Sequence, residues 1–105
     1  MLGIVGVDGG SGPRGLALAR PSRNPARGSV ALRFSVPVDG WVSLAVYDAA
    51  GRRVRTLVEG AMPAGERERV WDLRAADGAE VGAGLYFVRL EGLGRRFTQR
   101  LAVVR

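Results

Sequence analysis

The side chains able to carry covalent or acid–base chemistry are few, and none has the companion that such chemistry needs. Ser11, Ser22, Ser29, Ser35 and Ser43 are candidate nucleophiles, but the chain has neither histidine nor lysine to serve as their base. Cysteine is absent as well, which removes thiolate chemistry and any disulfide framework. Glu66 and Glu68 fall on one face of an extended segment with Arg67 between them. A glycosidase pair of carboxylates needs a substrate cleft, and a domain this small has little wall to build one. The pair reads as solvated surface charge. Asp72 and Asp77 with nearby carbonyls could approach a calcium ion, but the spacing is not that of an EF-hand loop. Asp72 follows Trp71 and reads more simply as a turn former bonded to its own backbone. The glycine-rich stretches 3–6 and 9–12 lack the lysine and the strand-then-helix setting of a phosphate loop. The expectation is a non-enzymatic module without metal or cofactor.

Composition narrows the alternatives. A chain of 105 residues has room for one domain, and 47% hydrophobic with 25% charged residues is ordinary for a folded one. All 16 basic residues are arginine, and the net charge is +6. Such a balance can mark nucleic-acid binding, yet the two parts 1–29 and 30–105 each carry +3 (four Arg against one Asp; twelve Arg against nine acids). In the second part arginines mostly alternate with apolar residues, as solvent-facing strand positions do. No nucleic-acid partner is therefore expected. No apolar run approaches the ~20 residues of a membrane helix. Residues 1–12 lack the basic start and long apolar core of a signal peptide.

Residues 1–15, with six glycines, read as a flexible leader or linker, and 16–105 as the folded unit. Within that unit the apolar period is two. Residues 16–19 form a short first strand, followed by a turn held extended by Pro21 and Pro25. Val30, Leu32, Phe34 and Val36 alternate with smaller or polar residues, and Asp39-Gly40 suggests a tight hairpin into 41–48. There Val42, Leu44 and Val46 face one way, and Trp41, Ser43, Ala45 and Tyr47 the other. Trp41, on the outward face, is either a partner-binding aromatic or a cover for a cross-strand neighbour. Further strands are expected at 53–58, 66–73, 85–90 and 96–104, with Trp71 and Tyr86 in the core. The whole predicts an all-β fold of six to seven strands, a β-sandwich or small barrel, with two antiparallel sheets around one core favoured and the domain monomeric in isolation.

The punctuation, taken as an ordered set, is more specific. Asn24-Pro25 precedes the first long strand, Tyr47-Asp48-Ala49-Ala50-Gly51-Arg52 closes the second, and Trp71-Asp72 and Gly84-Leu85-Tyr86 follow. Across residues 16–105 this resembles the C-terminal sorting domain of type IX (Por) secretion cargo, and equally the immunoglobulin-like domain of flagellar hook-capping proteins. Either resemblance implies that the antiparallel β-sandwich is immunoglobulin-like. The first resemblance implies a module that directs an attached protein through the outer membrane to the cell surface, with the export machinery as partner. The second implies a structural module that contacts neighbouring subunits. Asn24, Pro25, Tyr47, Asp48, Gly51, Trp71, Asp72, Gly84 and Tyr86 are the family-motif residues. Arg100 and Arg105, in the basic–apolar–basic ending, mark an expected recognition strand and support a true terminus at 105. Three departures stand out: Arg23 replaces the first proline of Pro-Asn-Pro, Leu73 stands where glycine commonly follows Trp-Asp, and Arg69 shares the face of Trp71. Arg69 must snorkel at a sheet edge, or the strand is bulged there.

Overall fold

Period-two alternation becomes seven strands, and the connections after β2, β4 and β5 cross from one sheet to the other. The computed structural model describes residues 15–105, so the expected leader lies outside the described residues except for Gly15. The strands are β1 (Ala17–Leu18), β2 (Val30–Val36), β3 (Gly40–Asp48), β4 (Arg53–Met62), β5 (Gly65–Trp71), β6 (Gly84–Gly92) and β7 (Arg95–Val103). They form two antiparallel sheets, β1-β2-β5 and β4-β3-β6-β7. This is the two-sheet sandwich expected from the alternation, with the immunoglobulin-like fold that the resemblance implies.

The inner faces meet in one core. Leu32, Phe34 and Val36 of β2 pack with Val42, Leu44 and Val46 of β3, Val88 and Leu90 of β6, and Leu101 of β7, all fully buried. Each such side chain contributes about 1.5–3 kcal/mol relative to exposure. Trp71 closes one end of this core with no exposed surface, its ring 5.8 Å from that of Tyr86 and inclined at 69°. Both polar tips are satisfied: Trp71 Nε1 donates to Arg74 O at 2.9 Å, and the Tyr86 hydroxyl donates to Gly82 O at 2.7 Å.

Three local expectations are corrected. Asp39-Gly40 is not a hairpin, because β2 and β3 belong to different sheets. A Cβ at Gly40 would stand 2.9 Å from Leu93 Cδ2, so a larger residue there would have to displace the Leu93 side chain. The strand expected at 53–58 runs on to Met62, through two register shifts against β3 and through Gly60 at φ +150°. The outer face of β3 is also not solvated. Ser43, Ala45 and Tyr47 are buried, and only Trp41, at the strand's start, is exposed. As a central strand, β3 is flanked by long side chains of β4 and β6 that close over it; Arg89 stacks 4.3 Å from the Tyr47 ring centroid.

The departure at Leu73 has a conformational reason. Leu73 sits at φ +60°, the region glycine favours, and its side chain is wholly buried. The glycine-like turn after Trp-Asp is kept, at a cost of order 1–2 kcal/mol, and burial of the leucine offsets it.

Candidate functional site

The sandwich has no enclosed cleft with convergent catalytic groups, and no metal-ligating cluster occurs among the described residues. What it offers a partner is strand edges, and the family-motif residues decide which edges stay free. They gather at one end of the sandwich. Asp48 pairs with Tyr86, Tyr86 with Leu101, Gly84 with Val103, and Trp71 with Val30.

Most of these residues build turns. Asp48 Oδ1 accepts from the N–H groups of Ala50 and Arg52 at 3.0 and 2.9 Å, and Arg52 Nε reaches Oδ2 at 3.2 Å. The Arg52 backbone donor, foremost, holds the Asp48 carboxyl below its usual range. Gly51 supplies φ +86° at the turn's tightest point. Asp72 Oδ1 accepts from Arg74 N at 3.1 Å and pairs with Arg55 at 2.9 Å. Tyr47 lies under Arg89, and its hydroxyl accepts from Arg53 Nη2 at 3.2 Å.

Asn24 does something different. Its side-chain amide donates to Arg100 O at 3.1 Å and accepts from Ala102 N at 2.9 Å, so it imitates a strand residue laid against β7. After the cis Asn24–Pro25 bond, Ala26 continues the imitation. Its N–H donates to Ala102 O at 2.8 Å, and its C=O accepts from Val104 N at 2.9 Å. Residues 24–26 thus cover the last part of β7's outer edge.

The rest of that edge is open. Ala102 turns its N–H and C=O outward to residues 24 and 26, so Arg96, Thr98 and Arg100 turn theirs the same way, following the two-residue repeat of an antiparallel strand. The N–H and C=O of Arg96 and Thr98, and the N–H of Arg100, find no backbone partner among the described residues. The expectation of an edge at the terminal strand is therefore narrowed to residues 96–100.

The two arginines expected to mark the recognition strand part company. Arg100 is exposed and makes no ion pair among the described residues. Arg105 is anchored: its guanidinium donates to Val81 O at 2.9 Å and Leu73 O at 3.1 Å, and lies 3.9 Å from Glu80. Arg105 ties the chain's last residue to the 73–81 loop and is not available to a partner.

Beside Arg100 lies a groove of ≈ 460 Å³ lined by Arg20, Pro21, Ser22, Arg23, Asn24, Gln99 and Arg100. Gln99 Nε2 donates to Leu18 O at 3.2 Å, which ties β7 to β1 at the groove's floor. Arg20 and Gln99 were not singled out from sequence, and Arg23 only as a departure from Pro-Asn-Pro. The signal was present: residues 15–38 and 92–105 hold four arginines each and no carboxylate. Only the fold brings the two segments side by side.

The family model of the FlgD Ig-like domain matches residues 20–95. The chain belongs to that family. A search of curated proteins finds no match. Among solved structures, the domain is similar to dimeric latent PorU from Porphyromonas gingivalis, with TM-score 0.67 and 26% identity over 97% of this chain and 10% of PorU. It is similar to FlgD from Xanthomonas campestris, a hook-capping protein of flagellar assembly, with TM-score 0.57 and 27% identity over 83% of this chain and 64% of FlgD. It shares the fold of PorZ, a surface component of the type-IX secretion system of P. gingivalis, with TM-score 0.54 and 24% identity over 87% of this chain and 12% of PorZ. The chain thus spans about a tenth of the Por proteins and under two thirds of FlgD. The FlgD Ig-like domain is therefore related both to type IX secretion proteins and to hook-capping proteins.

Proposed function

We propose that this FlgD Ig-like domain is a non-catalytic docking module that addresses an attached protein to type IX-like export and hence to the cell surface. Its ligand is the export machinery, and the surface that meets it is the outer edge of β7. The half-open edge at 96–100 carries this reading. Unpaired N–H and C=O groups on an edge strand are a ready site for main-chain addition by a partner. The likeness to PorU over nearly the whole domain, and to PorZ in fold, supports export as the context.

A second reading has its own support. The family match and the likeness to FlgD from X. campestris favour a structural module that packs against neighbouring subunits, as in hook capping. One experiment separates the two. A periplasm-targeted reporter fused ahead of this chain is expressed in a host with type IX export, and its surface display is measured. Display of the folded fusion is the expected outcome. Retention in the periplasm with the domain folded overturns the export reading and leaves the assembly module standing.

A further inference from the structure

We propose that the groove beside β7 and the open edge at 96–100 together bind an extended acidic polypeptide segment, which adds to the sheet as a further strand. This inference rests on the reading of β7 as the docking edge and names the chemistry of what docks there.

The charge is one-sided. Of the arginines that line the groove, Arg20, Arg23 and Arg100 are exposed and have no ion-pair partner or side-chain hydrogen bond among the described residues. Arg33, Arg55 and Arg74, by contrast, pair with Glu68, Asp72 and Glu80. No carboxylate lines the groove, and none occurs in either segment that builds it. Guanidinium groups hold carboxylates through paired, charge-assisted hydrogen bonds, so an acidic partner meets them with matched geometry.

The shape selects polypeptide over nucleic acid. The free groups along 96–100 alternate N–H and C=O at strand spacing, the pattern that another extended backbone satisfies. A nucleic acid's phosphates could accept from the N–H groups but offer the C=O groups no donor at that spacing. The groove also lacks an aromatic platform on which bases could stack, its lining being arginine, proline, serine, asparagine and glutamine. Residues 24–26 fix where the added strand must stop, because they already occupy the edge from Arg100 O onward. An incoming segment therefore lies along 96–100 and delivers its carboxylates to Arg100, Arg20 and Arg23 at the capped end.

Fluorescence anisotropy with a short labelled peptide of alternating Thr and Glu tests this on the full chain. The peptide should bind, and its affinity should fall as salt rises. The triple variant Arg20→Ser, Arg23→Ser, Arg100→Ser, with its circular dichroism unchanged, should bind roughly tenfold or more weakly. The same peptide N-methylated at every residue should lose binding, since it keeps the charge but has no N–H to donate along the edge. Equal binding of a Thr–Lys peptide, undiminished binding by the triple variant, or undiminished binding of the N-methylated peptide would each overturn the proposal. So would tighter binding of an oligothymidylate than of the Thr–Glu peptide. Failure of the function reading is distinguishable. A reporter that never reaches the surface while the peptide still binds removes the export reading alone. Unimpaired surface display by the triple variant, with no peptide binding in wild type, removes the acidic-segment inference alone.

Discussion

Three strands of this sandwich end a sheet at full length, β4, β5 and β7, and the last two treat their edges differently. In β5 the inward positions opposite Phe34 and Leu32 are Arg67 and Arg69. Their guanidinium groups turn back to the main chain: Arg67 to Pro63 O and Ala64 O at 3.1 and 3.0 Å, Arg69 to Glu68 O at 2.9 Å. The pairing with β2 runs without a register shift, so Arg69 snorkels at the edge and the strand is not bulged. Inward-pointing charge on an edge strand is a known means of refusing a further strand. In β7 the inward-facing positions are Arg95, Phe97, Gln99, Leu101 and Val103; the one charge, Arg95, is exposed at the strand's start and stacks 5.5 Å from the Phe97 ring centroid, so none lies along 97–103. Its edge is protected only by residues 24–26, over only part of its length. One edge is guarded by its own side chains, and the other is partly capped and partly left open. An open stretch in a chain that guards another edge is what the proposed docking role of β7 requires.

The largest expected effect concerns β5 as a wall. Trp71 is its inward anchor, wholly buried against Tyr86. Truncation by Trp71→Ala should cost about 3–5 kcal/mol, measured by urea unfolding. A loss below about 1 kcal/mol would mean that β5 is not fixed by the core, and its guard would then have nothing rigid to protect.

A smaller effect sharpens the view of β7. Asn24→Ala removes two hydrogen bonds between the cap and the strand, those to Arg100 O and Ala102 N. The loss should be about 1–2 kcal/mol, since the freed groups lie near solvent. Amide exchange at Ala102 should accelerate, while exchange in β3 should change only with global stability. If Ala102 keeps its protection, the asparagine is not what closes that part of the edge.

The fold was legible in the sequence wherever alternation met turn chemistry. Val30 to Val36 reads as a half-buried strand because its apolar residues recur at every second place, and Leu85 to Leu90 as a strand because an apolar run follows Gly84. Trp71 and Tyr86 read as core from their positions between turns, and the sandwich places them there. Sequence could not reveal which sheet a strand joins, so Asp39-Gly40 looked like a hairpin when it is a crossing held by packing against Leu93. Nor could it show that Ser43, Ala45 and Tyr47 are covered, since the covering side chains come from β4 and β6. The candidate site was half visible. Arg100 was legible from the basic ending, whereas Arg20 and Arg23 lie some eighty residues away in sequence and join it only through the contact of β1 with β7. Arg105 shows the converse: its place in the ending suggested recognition, and the carbonyls of Leu73 and Val81 claim it for structure.

The smallest expected effect on stability tests the comparison most directly. In β2 the outward groups of Ala31 and Arg33 face Ser22 and Ala19 on the β1 side, so the pairing with β5 uses Leu32 and Phe34. Glu66, Glu68 and Val70 accordingly turn their N–H and C=O to the open edge, just as Arg96 and Thr98 do in β7. The two edges therefore expose the same kind of main-chain groups, and the arginines are the difference. The double variant Arg67→Val, Arg69→Val places β-branched residues over Phe34 and Leu32 and should leave stability within about 0.5–1 kcal/mol of wild type. It also leaves an exposed apolar strand whose edge nothing guards. Sedimentation velocity should then detect concentration-dependent self-association that the wild-type chain lacks. A double variant that stays monomeric at every concentration would show that Arg67 and Arg69 do not guard β5. In that case the openness of β7 would no longer distinguish it as the docking edge.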